Sequence, residues 1–150
     1  MAQTTKQQLD AMAVADSLRP TLLRLGRELR QEKIAGVSPH QVTLLISIKY
    51  TPGVTVGQLA AEERVSTAAM SKRVSRLERD GLVARTPSEA DRRCVGLTLT
   101  EEGQRTLRRV RSRRTAWLAS RLGALTPAEL AAVREAAEPL AQLVGREAHA

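Results

Sequence analysis

The feature that most constrains this chain is a change in hydrophobic period at Gly81. Two short helical patterns, at residues 55–64 and 66–80, precede it and are separated by a single valine. Each pattern opens on a hydroxyl side chain that can cap a helix. After Gly81, residues 82–86 and 94–99 are short strand-like runs with polar turn residues between them. Helix, tight turn, helix and hairpin follow one another in the order of a winged helix-turn-helix.

Longer helices are predicted on both sides of this centre. Apolar residues recur every three or four positions between 8 and 32, and Pro20 lies inside this stretch. We therefore expect a bend there, or a helix that begins near residues 17–20. A capping sequence at residues 38–41 predicts a helix to about Tyr50, and residues 100–125 and 126–146 form two further helical patterns. The predicted fold class is mainly α with a small β-hairpin wing.

The charge balance favours a polyanionic partner. The 150 residues include 24 Lys and Arg against 16 Asp and Glu, a formal net charge of +8. Nucleic acid is the first candidate, and an anionic membrane surface is the second. Because no long apolar run occurs, we expect no membrane-spanning segment and a cytoplasmic protein. The single cysteine excludes an internal disulfide, and two distant histidines disfavour a metal site, so no cofactor is expected.

The second helix of the central pair has a cationic outer face. If Met70, Val74 and Leu77 turn inward, the opposite face carries small residues first and cations after them. Between residues 64 and 93 there are eight cations and four anions. Small side chains let a backbone approach base edges, and cations donate to guanine or phosphate. The candidate major-groove residues are Ser66, Thr67, Ala68, Ser71, Lys72 and Arg76, and the candidate phosphate contacts are Arg73 and Arg79.

Several motifs in this order resemble the multiple antibiotic resistance regulator (MarR) family. The resemblance covers about residues 38–107 in motif and the whole chain in layout. The motifs are Ser38-Pro39-His40-Gln41, Thr55-Val56-Gly57-Gln58-Leu59-Ala60, Val65-Ser66, Leu77-Glu78-Arg79-Asp80-Gly81-Leu82-Val83-Ala84-Arg85, and Asp91-Arg92-Arg93 followed by Leu97-Thr98-Leu99-Thr100-Glu101-Glu102-Gly103.

The resemblance implies one domain, residues 1–150, that forms a homodimer on a pseudo-palindromic operator in double-stranded DNA. The winged lobe would span about residues 38–99, and the dimerisation helices about 8–32 and 100–146. In the family, a wing arginine enters the minor groove and a nearby aspartate supports it. Arg92 or Arg93 would take the first role here and Asp91 the second; the motif does not decide between the two arginines.

The resemblance also implies a regulator, with release of a repressor by a small aromatic or phenolic effector as the leading expectation. Candidate contacts in an effector crevice are His40, Tyr50 and Trp117, although packing alone would account for Trp117 and capping for His40. Family members often have Ser-Thr in the middle of the recognition helix. Ala68-Ala69 stands in this helix instead, so the operator sequence does not carry over.

Two other functions remain as alternatives. A ligand-independent architectural DNA-binding protein would also carry this charge. A thiol-based redox regulator would use Cys94, which two arginines precede, although a packed strand residue is the simpler interpretation. An enzyme is disfavoured, because no phosphate loop, metal-ligand spacing or nucleophile turn occurs. Six arginines between residues 105 and 114 could contact phosphates or acids of a partner helix, and Arg114 beside the apolar stripe predicts a buried pairing across a dimer.

Overall fold

A computed structural model describes residues 2–32, 36–87 and 95–145. It divides into two units, Met1–Arg114 and Thr115–Ala150. The described elements, in chain order, are α1 (Ala2–Gln31), α2 (Pro39–Tyr50), α3 (Val56–Glu62), α4 (Thr67–Arg79), β1 (Val83–Pro87), β2 (Val95–Leu99), α5 (Glu101–Leu122) and α6 (Pro127–Leu143). This order confirms the mainly α fold with a two-stranded antiparallel wing.

Capping boxes fix where the helices of the lobe begin. The Ser38 hydroxyl accepts from the Gln41 amide at 3.2 Å, and the Gln41 side chain accepts from the Ser38 amide at 2.9 Å. Thr55 and Gln58 repeat the same exchange at the start of α3. These bonds satisfy amides that the first turn of a helix leaves without partners. The helix starts predicted at these positions are therefore confirmed.

Helix α1 differs from the prediction at its N-terminal half. It is continuous from Ala2 and passes through Pro20, so a helix start near residues 17–20 is wrong. A proline removes one helical hydrogen bond, and the alanine, leucine and arginine residues around it are strong helix formers. The helix ends at Gln31, before the predicted end at Glu32.

The hydrophobic core of the first unit lies where α2, α3, α4 and the hairpin meet. Met70, Val74 and Leu77 of α4 are fully buried, as their spacing predicted. They join a cluster from the other elements: Leu44, Leu45, Ile48, Val54, Leu59, Ala60, Leu82, Val83 and Leu97. Each large apolar side chain that is buried in this way stabilises the fold by about 1.5–3 kcal/mol relative to an exposed one. The core therefore fixes the outward face of α4.

A short third segment extends the hairpin. Val54, just before α3, bridges to Leu97 of β2 in antiparallel fashion. The Gly53 amide donates to the Leu97 carbonyl, and the Leu97 amide donates to the Val54 carbonyl, both at 2.9 Å. Gly96 permits this approach, because a Cβ atom there would lie 2.7 Å from the Gly53 carbonyl oxygen. A single-residue bridge has no period, so sequence patterning did not indicate it.

The start of α5 is attached to the turn that follows α4. The Thr100 hydroxyl donates to the Gly81 carbonyl at 2.6 Å and accepts from the Gly103 amide at 3.0 Å. The Thr100 amide also donates to the Leu82 carbonyl at 3.1 Å. Gly103 is required here, because a Cβ atom would collide with the Leu82 carbonyl oxygen. These contacts, which we call the Thr100 junction, join the base of α5 to the turn that follows α4. Helix α4 is the second helix of the helix-turn-helix, and we call it the recognition helix.

Candidate nucleic-acid interface

The outward face of α4 combines small side chains with cations. Ala68, Lys72, Arg76 and Arg79 are exposed and spaced three or four residues apart, opposite the buried side of the helix. Ser75, half-buried, lies between them on the same face and was not among the predicted contacts. Its spacing from Lys72 and Arg79 is the signal that could have found it.

The N-terminal turn of α4 is open and capped. The Ser66 hydroxyl accepts from the Ala69 amide at 3.1 Å, which commits its oxygen to the cap and leaves its hydrogen free to donate. Thr67 and Ala68 are exposed beside it, while Ser71 is half-buried one turn later. A helix end with small exposed residues can approach base edges closely.

The cations of this face lack acidic partners. In the described part of the chain, Lys72, Arg73, Arg76 and Arg79 form no ion pair. Arg73 is half-buried and lies at the edge of the face. Their charges therefore remain available to an external polyanion.

The nearby acids are already engaged. Glu78 pairs with Arg85 of β1 at 2.9 Å, a contact that links the recognition helix to the base of the wing. Asp80 accepts from the Gln41 side-chain amide at 3.3 Å. Both contacts join separate elements of the lobe, and among the described residues neither carboxylate forms an ion pair with an outward cation of α4.

Arg64, in the turn between α3 and α4, is a candidate that sequence reasoning counted as a cation without assigning it a role. Its φ of 53° lies in the left-handed region, and among the described residues it is the one non-glycine with a positive φ. It is exposed and has no ion pair among them. Turns of this kind often contain glycine. An arginine in a turn that often contains glycine is the sequence signal that could have identified Arg64 as a candidate contact.

The tip of the wing lies outside the described residues. The residues that are not described include Asp91, Arg92, Arg93 and Cys94, so the roles predicted for them remain predictions. The structure describes the base of the hairpin, from the Val83–Leu99 pair to the Pro87–Val95 pair. This base projects from the same lobe as α4.

The two candidate effector contacts of the first unit, His40 and Tyr50, are not close together. His40 lies in the first turn of α2 and Tyr50 at its end, about 15 Å apart along the helix axis at 1.5 Å per residue. The Lys49 ammonium lies 5.3 Å from the centre of the Tyr50 ring. In the second unit, the Arg121 guanidinium stacks on Trp117 at 3.8 Å from the ring centre, so one face of the indole is covered.

The arginine-rich run of α5 falls into two parts. Arg105, Arg108 and Arg109 pair with Glu101 or Glu102 of the same helix, at distances from 3.1 to 4.0 Å. Arg111, Arg113 and Arg114 form no ion pair among the described residues. Half of the run therefore stabilises its own helix, which neither of the two predicted roles anticipated.

The first unit has a helix-turn-helix with an attached hairpin, and the cations on the outer face of the second helix form no ion pair among the described residues. These features define a winged helix-turn-helix DNA-binding protein. The comparisons with known proteins agree. The MarR family model matches residues 37–95. An HTH-type transcriptional regulator of Mycobacterium tuberculosis is 33% identical over 87% of this chain and 92% of its own. The HTH-type transcriptional repressor MdtR of Bacillus subtilis is 33% identical over 90% of this chain and 83% of its own.

A solved structure shows the same architecture. Transcriptional regulator Tm0710 of Thermotoga maritima superposes with a TM-score of 0.74 at 26% identity, covering 90% of this chain and 96% of its own. The chain therefore belongs to the MarR family of DNA-binding transcriptional regulators, as its motifs indicated. It is a regulator and not an enzyme. Among the described residues, no helix is long and apolar enough to cross a membrane.

Proposed function

We propose that this protein is a homodimeric transcriptional repressor that binds a pseudo-palindromic operator and is released by a small-molecule effector. The observation that carries the DNA-binding part is the outward face of α4. Its small N-terminal residues are followed by exposed cations that have no acidic partner in the described part of the chain. A buried stripe holds the opposite side of the helix in the core. The recognition helix is thus presented to a major groove in one orientation.

Within the groove, each side chain has a role that its chemistry suggests. Lys72 and Arg76 donate to guanine acceptors, and the Thr67 hydroxyl and Ala68 methyl allow close approach to bases. Ser66 and Ser71 donate from the same end of the helix. Phosphate contacts come from three further cations at the edges of the face: Arg64, Arg73 and Arg79.

The wing is proposed to enter the adjacent minor groove. Arg92 or Arg93 makes this contact and Asp91 supports it, as the family resemblance implies. The Glu78–Arg85 ion pair favours this arrangement, because it links the base of the hairpin to the recognition helix. The two prongs can then engage neighbouring grooves together.

Helices α1, α5 and α6 are proposed to form the dimer, at about residues 8–32 and 100–146. Helix α6 has no buried residue in a single chain. Large apolar side chains are exposed on α1 and near or on α6, including Leu9, Met12, Val14, Leu22, Leu23, Val133, Leu143 and Val144. Apolar stripes of this kind are buried when a second copy packs on them.

Repression and effector release are supported by observations other than those that support DNA binding. Repression is supported by the name of MdtR, a repressor that is 33% identical to this chain. A small aromatic or phenolic effector follows from the family resemblance, with His40, Tyr50 and Trp117 as candidate contacts. Since His40 and Tyr50 lie at opposite ends of α2, a single small ring would contact only one of them.

The test is a footprint on duplexes selected by the protein from a random library. A protected palindrome with half-sites about one helical turn apart supports the proposal, and uniform coverage would instead identify an architectural DNA-binding protein.

Lys72→Ala and Arg76→Ala should each weaken binding by about 1–3 kcal/mol, roughly 5- to 150-fold. Lys6→Ala removes the same charge from an exposed position that lies outside both the α4 face and the proposed dimer residues, and this variant should bind like the parent.

The wing is tested in the same assay. Arg92→Ala or Arg93→Ala should weaken operator binding by about 1–3 kcal/mol if that side chain makes a groove contact. Parental affinity for both single variants at fixed salt would show that the wing assignment is wrong.

A further inference from the structure

The Gln41 side chain joins the first turn of α2 to the end of the recognition helix. Its oxygen accepts from the Ser38 amide at 2.9 Å, as part of the capping box of α2. Its nitrogen donates at 3.3 Å to a carboxylate oxygen of Asp80, the C-cap residue of α4. Because the capping box already holds this side chain in place, little conformational freedom is lost when the second contact forms.

The stability of α4 alone does not explain an acid at position 80. The C-terminal end of a helix is the negative end of its dipole and favours cations, which Arg76 and Arg79 supply in the last turn. The same dipole opposes a carboxylate at the next position. A charged acceptor, however, strengthens a hydrogen bond from an amide. The contact with Gln41 therefore gives the Asp80 carboxylate a role that the helix itself does not.

The turn that follows α4 is bound from both ends of the lobe. Gln41 lies where the chain enters the lobe after α1, and Thr100 lies where it leaves the lobe into α5. Thr100 bonds to the carbonyls of Gly81 and Leu82, the two residues that follow Asp80. Since α1 and α5 belong to the proposed dimer, three consecutive residues after the recognition helix are bound by the segments that connect the lobe to the dimer helices.

We propose that Gln41 is a positioning residue that fixes the direction of the recognition helix within the dimer, and thereby the half-site arrangement that the dimer recognises. It acts through Asp80 and not through a contact with DNA. The inference rests on the proposed homodimer on a pseudo-palindromic operator. Once one lobe is bound, the second engages its half-site at an effective concentration that depends on how well its direction is fixed. The affinity of one lobe for one half-site does not depend on that direction.

The experiment removes the contact and then restores it with its polarity reversed. Gln41→Glu keeps the capping box, because a glutamate also accepts from the Ser38 amide, but it places a second carboxylate beside Asp80. The double variant Gln41→Glu/Asp80→Asn has the net charge of the parent, and its new asparagine amide can donate to its new carboxylate. The matched control is Gln58→Glu, which makes the same exchange in the capping box of α3, where Gln58 contacts no acid among the described residues.

Association constants are measured by fluorescence anisotropy at fixed salt, for the footprinted operator and for a duplex with one half-site. The operator constant divided by the square of the half-site constant is the effective concentration, and a charge that weakens each lobe equally cancels in it. Gln41→Glu should lower this effective concentration at least about tenfold, and the double variant should return it to within about threefold of the parent. Gln58→Glu should leave it within about threefold, although its added charge weakens both constants.

The proposal is overturned if Gln41→Glu keeps the parental effective concentration, or if the double variant stays as low as Gln41→Glu. Asp80→Ala removes the acceptor and should follow Gln41→Glu, so it serves as the second variant if Gln41→Glu does not fold. A parent that binds the operator no more tightly than one half-site refutes the proposed dimer on a palindrome, and this inference fails with it. A parent with a clear gain from the second half-site, which Gln41→Glu shares in full, refutes the positioning role alone.

Discussion

Replacing Arg64 by glycine should stabilise the fold while weakening DNA binding. A non-glycine residue in the left-handed region costs roughly 1–2 kcal/mol, and Arg64 has a φ of 53°. Glycine removes this strain but adds about 0.4–1 kcal/mol of chain entropy to the unfolded state. The net gain should be about 0.5–1 kcal/mol, or roughly 1–4 °C in the melting temperature for a chain of this size.

The effect on DNA binding follows from counterion release. Each phosphate contact contributes about 0.9 to the slope of log K against log salt, so losing one contact per copy lowers the slope of a dimer by about 1.8. At 0.15 M salt this corresponds to roughly 30-fold weaker binding, and the difference should vanish on extrapolation to 1 M. The assay is fluorescence anisotropy on one operator duplex at four or more salt concentrations.

Two further variants separate strain from charge. Arg64→Lys keeps both the charge and the strained backbone, so its stability and salt slope should match those of the parent. Arg64→Asn tolerates the left-handed conformation and lacks the charge, so its slope should follow that of the glycine variant. An unchanged slope for Arg64→Gly would refute the phosphate contact. A lower melting temperature for Arg64→Gly would refute the strain argument.

Three other predictions concern stability. Gly103→Ala should destabilise the fold by at least about 2 kcal/mol in urea unfolding, because the new methyl group meets the Leu82 carbonyl; a variant as stable as the parent would show that the junction can relax. Ser66→Ala should cost about 1 kcal/mol through loss of the cap of α4, and no change in the urea midpoint would mean that the cap is redundant. Hydrogen bonds from the backbone and then the side chain of Thr126 hold the pKa of Glu129 below its usual range, so its contribution is present near neutral pH and is lost as the pH falls through that lowered pKa. The melting temperature of Glu129→Gln should thus be lower than that of the parent at pH 7 and match it at pH 2, and an equal gap at both would contradict this linkage.

Local signals in the sequence predicted most of the fold. The capping residues Ser38, Thr55, Ser66 and Thr126 lie at the N-terminus of a helix in each case, because a cap is a contact between residues three apart in the chain. The buried stripe of α4 followed from the helical repeat alone. Pro20 misled the boundary of α1, since one lost hydrogen bond is a small penalty within a helix of 30 residues.

Contacts between distant elements could not be predicted in the same way. The pairing of Val54 with Leu97 and of Glu78 with Arg85 depends on how the elements pack, and no periodicity reports it. Charge counting included Arg64 and Arg114. It could not show that Arg64 has a left-handed backbone, or that Arg114 has a buried nitrogen with no hydrogen-bond partner among the described residues. The sequence therefore predicted which helix face forms the site. It did not predict the backbone conformation, burial or partners of the individual residues.

The Thr100 junction has a mechanical consequence for regulation. Sliding the first turn of α5 along its axis would break the bonds that Thr100 makes to the carbonyls of Gly81 and Leu82. It would also drive Gly103 against the backbone that it now touches. Gly81 and Leu82 directly follow the recognition helix. A displacement of the base of α5 must therefore be transmitted to the end of that helix.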